Sequence, residues 1–292
     1  MKRAKKRVKQ PAKKRAGLGD QPLRKFSGRL VLLGAGKMGS AMVAGWLNRG
    51  LDPRQLTIID PQPARSVKAL ARRGVAINPT RDISKARAIV IAVKPQSAPE
   101  ATAALKPYVD KSTLALSIMA GRTLSFLESA LPAGTAIVRS MPNTPAAIGR
   151  SITVACPNQA VSARQRRLAG ELLAAMGGVE WVADEGLMDA VTAVSGSGPA
   201  YVFLLAEALA EAGTAAGLPQ PLAVKLARET VAGSGELLHQ SPLDAATLRE
   251  NVTSPGGTTA AALKVLMGQH GLGPLMEAAV TAATARSREL AG

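Results

Sequence analysis

The chain has 292 residues, of which 47% are hydrophobic, so it is long enough for about two domains with apolar cores. One cysteine, Cys156, excludes an internal disulfide, and with only two histidines, His239 and His270, neither a metal site nor a Ser-His-Asp triad is expected. We interpret Cys156 as a small buried hydrophobe. No uncharged apolar run reaches the roughly 18 residues that a membrane-spanning helix needs, and we expect a cytoplasmic protein with no membrane partner.

The net charge of +17 is concentrated near the N-terminus. Residues 1–29 contain 12 Lys or Arg and one acid, Asp20, so they contribute +11 and leave +6 for the other 263 residues. This stretch has no hydrophobic period, and no apolar run follows the charges as in a signal peptide. We predict a disordered basic arm over residues 1–28. A solvated extension is favoured over a nucleic-acid arm, so nucleic acid is not an expected partner beyond weak binding by this arm.

The first predicted elements of the folded part are a buried strand over Leu30–Leu33 and a helix over Met38–Leu47. Between and within them, Gly34, Gly36 and Gly39 have G-x-G-x-x-G spacing. In a dinucleotide-binding fold the first glycine allows a tight turn, and the second lets the backbone approach a pyrophosphate. The third lets the helix lie close to the strand. The unpaired N–H groups of the helix N-terminus would face the anion.

A second predicted strand, "LTIID", ends at Asp60, 21 residues after Gly39. An acid at this place can accept hydrogen bonds from the ribose hydroxyls of a dinucleotide. The sequence therefore predicts that a dinucleotide binds here. The residues predicted to bind it, including those of two later loops, are Gly34, Gly36, Lys37, Met38, Gly39, Asp60, Val93, Lys94, Pro95 and Asn143.

More strand-like runs follow at the spacing of alternating strands and helices. They lie at 88–93, 114–118, 136–141, 151–156 and 179–183. They predict an α/β Rossmann-type doubly wound domain over residues 29–184, whose ligands bind beyond the carboxyl ends of the strands. Three of these ends carry the loops "VKPQ", "MAGR" and "SMPNTP". Pro, Gly and Asn can merely turn the chain, but three such loops on one rim favour a site for the nicotinamide.

From about residue 185 a helical pattern replaces the strands and predicts an all-α dimerisation domain over residues 185–292. The run "SGSGP" predicts a turn, after which Pro199 starts a helix that Ser197 helps to cap. Three or four more helices follow, and several of their faces are apolar. This composition favours a homodimer over a helical bundle that packs on its own sheet.

The stretch "SPGGTT" near the C-terminus is a second candidate site. Pro255 cannot continue a helix, and Gly256 and Gly257 leave their backbone amides accessible. Thr258 and Thr259 then add two hydroxyls where an apolar helical run begins. Amides and hydroxyls at a helix N-terminus suit a small anion, although the same residues also form a helix cap.

Taken together, these motifs resemble the pyrroline-5-carboxylate reductase family. The matching stretches are "GAGKMGSAM", "VKP", "RSMPNTP", "AVSGSGPAYVF" and "VTSPGGTT", in the family's order, over about residues 29 to 290. The resemblance implies reduction of L-1-pyrroline-5-carboxylate to L-proline with NADPH or NADH, the last step of proline biosynthesis. It also implies a homodimer with the active site at the subunit interface, often in a ring of dimers.

The substrate of this family has one carboxylate and one ring imine. The carboxylate suits the amides of Gly256, Gly257 and Thr258 beside Ser254, and a hydroxyl can hydrogen-bond the ring nitrogen. Thr259 is the better candidate for that bond than Thr258, and by resemblance its position is the one that contacts the nitrogen. No general base is required if the substrate enters as an iminium ion, which fits the scarcity of histidine.

Asp60 departs from a family that leans to NADPH, since its carboxylate would repel a 2′-phosphate. Arg65 follows closely and could compensate, so the cofactor preference stays open. Two other classes of protein also stay open. One is a β-hydroxyacid dehydrogenase, which would need a catalytic lysine such as Lys225 or Lys264. The other is a nucleotide sensor, which its basic arm would anchor to nucleic acid. The intact "SPGGTT" argues against this second class.

Overall fold

The computed structural model describes residues 21–80 and 85–291. Within them, eight strands form one sheet of order β3-β2-β1-β4-β5-β6-β7-β8. The strands are β1 (Leu30–Leu33), β2 (Leu56–Ile59), β3 (Ala76–Ile77), β4 (Ala88–Ile91), β5 (Leu114–Ser117), β6 (Ala136–Met141), β7 (Ser151–Pro157) and β8 (Gly177–Trp181). All neighbours are parallel except β6 and β7. The α/β Rossmann-type doubly wound fold is confirmed.

The helices divide between the two faces of this sheet and a C-terminal helical part. They are α1 (Lys37–Asn48), α2 (Arg65–Lys68), α3 (Ala98–Ala103), α4 (Leu124–Ala130), α5 (Ala163–Leu173), α6 (Met188–Val191), α7 (Gly198–Ala215), α8 (Gln220–Gln240), α9 (Ala245–Asn251), α10 (Thr258–Leu266) and α11 (Leu272–Ala291). The expectation of three or four helices after α7 is met by the four from α8 to α11.

Alternating side chains of the central strands supply the two cores of the sheet. Leu30 and Leu32 of β1 pack in one core, with Met42 and Trp46 of α1, whereas Val31 and Leu33 pack in the other. Because period-2 side chains point to opposite faces, a strand apolar at every position is buried on both sides. Cys156 is buried as predicted, and burial raises the pKa of its thiol, which therefore stays neutral.

The predicted strands agree with the observed ones within about two residues, except that no sequence pattern predicts β3. A strand of two residues, Ala76–Ile77, carries no periodicity, and its pairing with β2 is what defines it. The prediction of a turn at "SGSGP" is wrong. A π-helical segment, Thr192–Gly196, joins α6 to α7, and the Ser197 side chain makes no cap bond.

The prediction of an arm without structure is wrong for residues 21–28. Pro22–Lys25 forms a short 3-10 helix, and Leu23 and Phe26 are buried in the core below α1. The Leu23 N–H donates to the Arg49 carbonyl at 3.2 Å, and Gln55 Nε2 donates to the Phe26 carbonyl at 2.9 Å. Two apolar residues three positions apart within a basic run are a weak signal, and burial against α1 decides their role. Residues 1–20 lie outside the described residues.

Because of this buried segment, we expect different results from two N-terminal deletions that the sequence alone does not distinguish. Deletion of residues 2–20 should leave thermal stability and turnover of NAD(P)H largely unchanged, because it removes charge and no described core residue. Deletion of residues 2–28 should lower the free energy of unfolding by about 3 kcal/mol or more, through loss of the buried Leu23 and Phe26 side chains. Equal stability of the two proteins in urea titrations would contradict this assignment.

The helical part joins the sheet through a partly buried ion pair. Glu185 Oε1 accepts from Arg139 Nη1 of β6 at 2.6 Å and from the Leu124 N–H at the start of α4 at 2.7 Å. Farther on, Ser287 of α11 donates to Asp189 of α6 at 2.7 Å. These contacts fix the start of the C-terminal part to the sheet domain, and its last helix, α11, to α6.

The outer faces of the C-terminal helices expose many apolar side chains in the single protomer. Phe203 of α7 is 65% exposed and Val265 of α10 is 74% exposed. Among the described residues, one helical stretch, Glu185–Ala215, is long and apolar enough to cross a membrane by length and composition alone. A second protein surface is the other way to cover such a face.

Candidate active site

The glycine loop between β1 and α1 has the geometry that a dinucleotide needs. Gly34 has φ +88°, and a Cβ there would come within 2.7 Å of the Ala92 carbonyl oxygen. A Cβ on Gly39 would lie 2.2 Å from the Gly34 carbonyl oxygen, so only glycine lets α1 approach so closely. Gly36 is exposed, and a Cβ there would meet nothing within 4 Å, which leaves room above the loop.

Gly36 is also the N-cap of α1, whose first turn begins with Lys37 and Met38. The first N–H groups of a helix have no partner inside it and carry partial positive charge. Open space in front of such a terminus fits a pyrophosphate, whose charge the amides and Lys37 would complement. The residues present therefore fit a dinucleotide.

Asp60, at the end of β2, is tied to the glycine loop. Its Oδ2 accepts from the Ala35 N–H at 2.7 Å and its Oδ1 accepts from the Gln62 N–H at 2.8 Å. The Asn78 side chain holds the Asp60 backbone through bonds at 2.9 and 2.7 Å. A carboxylate has about four acceptor sites, so Asp60 can still accept from a ribose hydroxyl while it shapes the loop.

The loop after β4 carries Val93, Lys94 and Pro95 and lies beside the glycine loop. The Val93 side chain would be 3.0 Å from a Cβ placed on Gly34. The Pro95 carbonyl accepts from Arg122 Nε at 3.1 Å and from Arg122 Nη2 at 2.8 Å, which joins it to the "MAGR" loop after β5. The sequence pattern predicts both loops but not the role of Arg122 in connecting them, because nothing local indicates its partner.

Asn143 lies in the third loop, after β6. Its Oδ1 accepts from the Ser151 hydroxyl at 3.0 Å and from the Ile152 N–H at 3.1 Å. The backbone N–H of Asn143 donates to the Ser151 hydroxyl at 3.2 Å, but its side-chain Nδ2 makes no hydrogen bond within the described residues and can donate to a ligand on this rim. The π-helical segment packs closely against the end of β6, since a Cβ placed on Gly196 would lie 2.4 Å from Met141 Cε.

The substrate loop, residues 254–259, ends at the N-terminus of α10. Gly256 has φ +70°, which favours glycine, and Gly257 is the N-cap. The Gly257 N–H donates to the Ser254 carbonyl at 3.0 Å, so the turn itself uses this amide, contrary to the expectation that it receives a carboxylate. Within the described residues, the Gly256, Thr258 and Thr259 amides have no acceptor.

The hydroxyls of this loop are equally unengaged. In residues 21–80 and 85–291 the side chains of Ser254, Thr258 and Thr259 make no hydrogen bond, and none links the loop to the cofactor loops. Ser254, Gly256 and Thr258 are exposed, and α9 and α10 bury no residue. In one protomer these polar donors therefore lie at the surface, and no described residues enclose them in a pocket.

The fold and the two sets of loops define an oxidoreductase of the NAD(P)-binding Rossmann class with a helical C-terminal domain. A family model described as NADP oxidoreductase, coenzyme F420-dependent, matches residues 29–121, and one described as pyrroline-5-carboxylate reductase dimerisation matches residues 185–290. The pyrroline-5-carboxylate reductase of Pseudomonas aeruginosa is 38% identical over 265 residues, which cover 90% of this chain and 97% of that protein. This chain belongs to the pyrroline-5-carboxylate reductase family.

Other relatives agree with this assignment. The enzyme of Glycine max is 37% identical over 273 residues, which cover 92% of this chain and 98% of that one. The structure of the Coxiella burnetii reductase matches with a TM-score of 0.83 at 34% identity, and covers 91% of this chain and all of the other. That of the Plasmodium falciparum enzyme, solved with NADP bound, matches with a TM-score of 0.75 at 30% identity, and covers 90% and 98%.

Proposed function

We propose that this protein reduces L-1-pyrroline-5-carboxylate to L-proline with NADPH or NADH. The observation that carries the proposal is the "SPGGTT" loop, whose unengaged amides and hydroxyls stand at a helix N-terminus in a chain that belongs to this family over 90% of its length. Both halves of the reaction then have a place, with the cofactor on the rim of the sheet and the substrate on the helical part.

When bound, NADPH or NADH would supply a hydride to the imine carbon, and the ring nitrogen, protonated beforehand, would become the secondary amine of proline. The chain's own residues would hold and orient the substrate for this transfer. We assign the Gly256 and Thr258 amides to the substrate carboxylate, and the Thr259 hydroxyl to the ring nitrogen. Gly257 supports this site through its bond to Ser254 rather than through a free amide.

The same assignment gives Gly34, Gly36 and Gly39 to the cofactor pyrophosphate, with Lys37 and Met38 at the helix N-terminus. Asp60 is assigned to the adenosine ribose, and Val93, Lys94, Pro95 and Asn143 to the nicotinamide side of the rim. These roles rest on the shared carboxyl edge of the sheet, where parallel strands place their ligands.

The exposed apolar faces of the C-terminal helices lie in the region that the dimerisation model covers, and formation of an oligomer would bury them. We propose a homodimer, assembled further into a ring of dimers, with a division of the chain into a Rossmann domain over 29–184 and a helical domain over 185–292. In a dimer a partner surface would supply the missing walls of the substrate loop. Cytoplasmic localisation stays a prediction.

The deciding experiment is NAD(P)H oxidation by the purified full chain. Turnover is expected with L-1-pyrroline-5-carboxylate and in no reaction that lacks it, and proline should form in equal amount. A sample that sediments as an oligomer and oxidises neither cofactor would overturn the proposal. Reduction of NAD by a β-hydroxyacid instead would favour the dehydrogenase, whose candidate residues, Lys225 of α8 and Lys264 of α10, are both exposed.

Cofactor choice gives a separate prediction at Asp60. We expect shared use of the two cofactors, because the carboxylate favours a ribose hydroxyl while exposed Arg65 at the start of α2 favours a 2′-phosphate. Asp60→Ser should shift the ratio of kcat/KM toward NADPH by about tenfold, since a charge-assisted hydrogen bond is worth about 1.5 to 3 kcal/mol and the site is partly exposed. Arg65→Gln should shift the ratio the other way.

One further control separates the two roles of Asp60. Asp60→Asn removes the charge and keeps one acceptor oxygen, which can accept from the Ala35 N–H, while the Gln62 N–H, bound by the other carboxylate oxygen, loses its acceptor. The bond that ties the glycine loop to the end of β2 should therefore remain. If the serine and asparagine variants lose affinity for both cofactors equally, Asp60 supports the loop and does not select the cofactor.

A further inference from the structure

The amino edge of the sheet, opposite the cofactor loops, carries a basic groove. Two adjacent cavities of about 290 and 250 Å³ meet there and share Arg87 and Arg164. The first is also lined by Lys111, and the second by Lys25 and Arg167. We call these five side chains the basic groove.

The cations of the basic groove are not neutralised. None of the five is in a salt bridge within the described residues, and four of them, all except the half-buried Arg87, are exposed. One acid, Glu171, lines the second cavity. Asp110, next to the first, is also negative, because hydrogen bonds from Ser112 and Thr113 lower its pKa, so five cations face two acids. The groove therefore keeps a net positive charge.

The sequence that precedes the groove residues is also basic. Residues 1–20 carry nine Lys or Arg and one acid, a net charge of +8. Pro22, Lys25 and Phe26, directly after that segment, line the second cavity. The buried Leu23 and Phe26 hold Pro22 and Lys25 in place at the groove.

We propose that the basic groove binds the backbone of nucleic acid without regard to sequence. A groove lined by Arg and Lys side chains that are in no salt bridge among the described residues offers charge and hydrogen-bond donors to a narrow chain of phosphates. A membrane is a flat partner, and residues 2–20 contain no aromatic side chain that would insert into one.

The position of the groove makes this binding compatible with catalysis. Arg87 directly precedes β4, and Lys111 lies shortly before β5, so both are at the amino ends of strands whose carboxyl ends carry the cofactor loops. Parallel strands place their two ends on opposite edges of the sheet. Bound nucleic acid would leave the rim free.

The test is fluorescence anisotropy of a labelled 20-nucleotide single strand against the full chain over a range of salt concentrations. We expect binding with a steep salt dependence. The triple variant Lys111→Gln, Arg164→Gln, Arg167→Gln should lower the magnitude of the slope of log K against log salt by about 2, because each phosphate that a cation neutralises contributes roughly 0.7 to that slope. Deletion of residues 2–20 should weaken binding further and lower the slope again.

The matched control is Lys68→Gln, Arg72→Gln, Arg73→Gln, which removes three exposed charges from α2 and the segment after it. The proposal is overturned if this control weakens binding as much as the groove variant, since net charge alone would then be the cause. It is equally overturned if the wild type does not bind, if the groove variant binds like wild type, or if vesicles with anionic phosphatidylglycerol compete the strand away at equal phosphate. Turnover of NAD(P)H, measured on the same samples, reports folding and the proposed function independently.

Discussion

Replacement of Glu185 by alanine is expected to lower the free energy of unfolding by about 3 kcal/mol, the largest stability loss we predict for a single side chain. The change leaves the Arg139 guanidinium, whose side chain is 5% exposed, without its carboxylate, and the Leu124 N–H at the start of α4 without an acceptor. A value at the low end of the range for buried pairs follows because the Glu185 side chain is 29% exposed and water can partly replace it.

Glu185→Gln is the matched control for this effect. The amide oxygen can still accept from Leu124 and Arg139, but the charge is gone, so the loss should be smaller than that of the alanine variant. Urea titrations of both variants at the same protein concentration give the comparison, because an oligomer's stability depends on concentration. A loss below 1 kcal/mol for alanine would show that the pair does not hold the helical part to the sheet.

The sequence predicts the parts of this fold that local pattern determines. Leu30–Leu33, the glycines after it and the helix that follows each have the residues that their conformation requires, and the structure places them where the pattern does. The strand at 76–77 and the anchor of Leu23 and Phe26 exist because of distant partners, and short segments leave no period in the sequence. Tertiary contacts decide such elements.

The candidate site also has features that the sequence predicts and features that it does not. The loops on the rim follow from strand ends and could be predicted, whereas the Arg122 bonds to Pro95 and the tie between Asp60 and Ala35 join residues 25 or more positions apart. The sequence predicts a turn near the π-helical segment at 192–196 because Gly and Pro are frequent in turns. Here Tyr201 donates to the Ala193 carbonyl at 3.1 Å and supports a wider helical turn instead.

The motif of the substrate loop does not by itself determine which of its backbone amides are free. "SPGGTT" indicates amides and hydroxyls at a helix start, and the structure has them there, but the turn consumes the Gly257 amide. The sequence also gives no distance between this loop and the cofactor rim. In one protomer no hydrogen bond among the described residues joins them.

The second large effect is expected for Thr259→Ala, which should lower turnover far more than it weakens NAD(P)H binding. The Thr259 hydroxyl makes no hydrogen bond within the described residues, so its loss leaves no protein partner unsatisfied and should not destabilise α10. If it contacts the ring nitrogen, the loss is one hydrogen bond to a cationic group, worth about 1 to 3 kcal/mol in the transition state. That corresponds to a fall in kcat/KM of about 5- to 150-fold.

Two neighbouring variants make this test specific to the hydroxyl. Thr259→Ser keeps the oxygen and should retain most of the activity, while Thr258→Ala removes an adjacent hydroxyl at the same helix start and should have the smaller effect. Cofactor affinity, measured by the quenching of NADPH fluorescence without substrate, should be the same in all three. A parallel loss of cofactor affinity in Thr259→Ala, or equal rates for the alanine and serine variants, would mean that position 259 supports the loop, and that the proton on the ring nitrogen is held by another group.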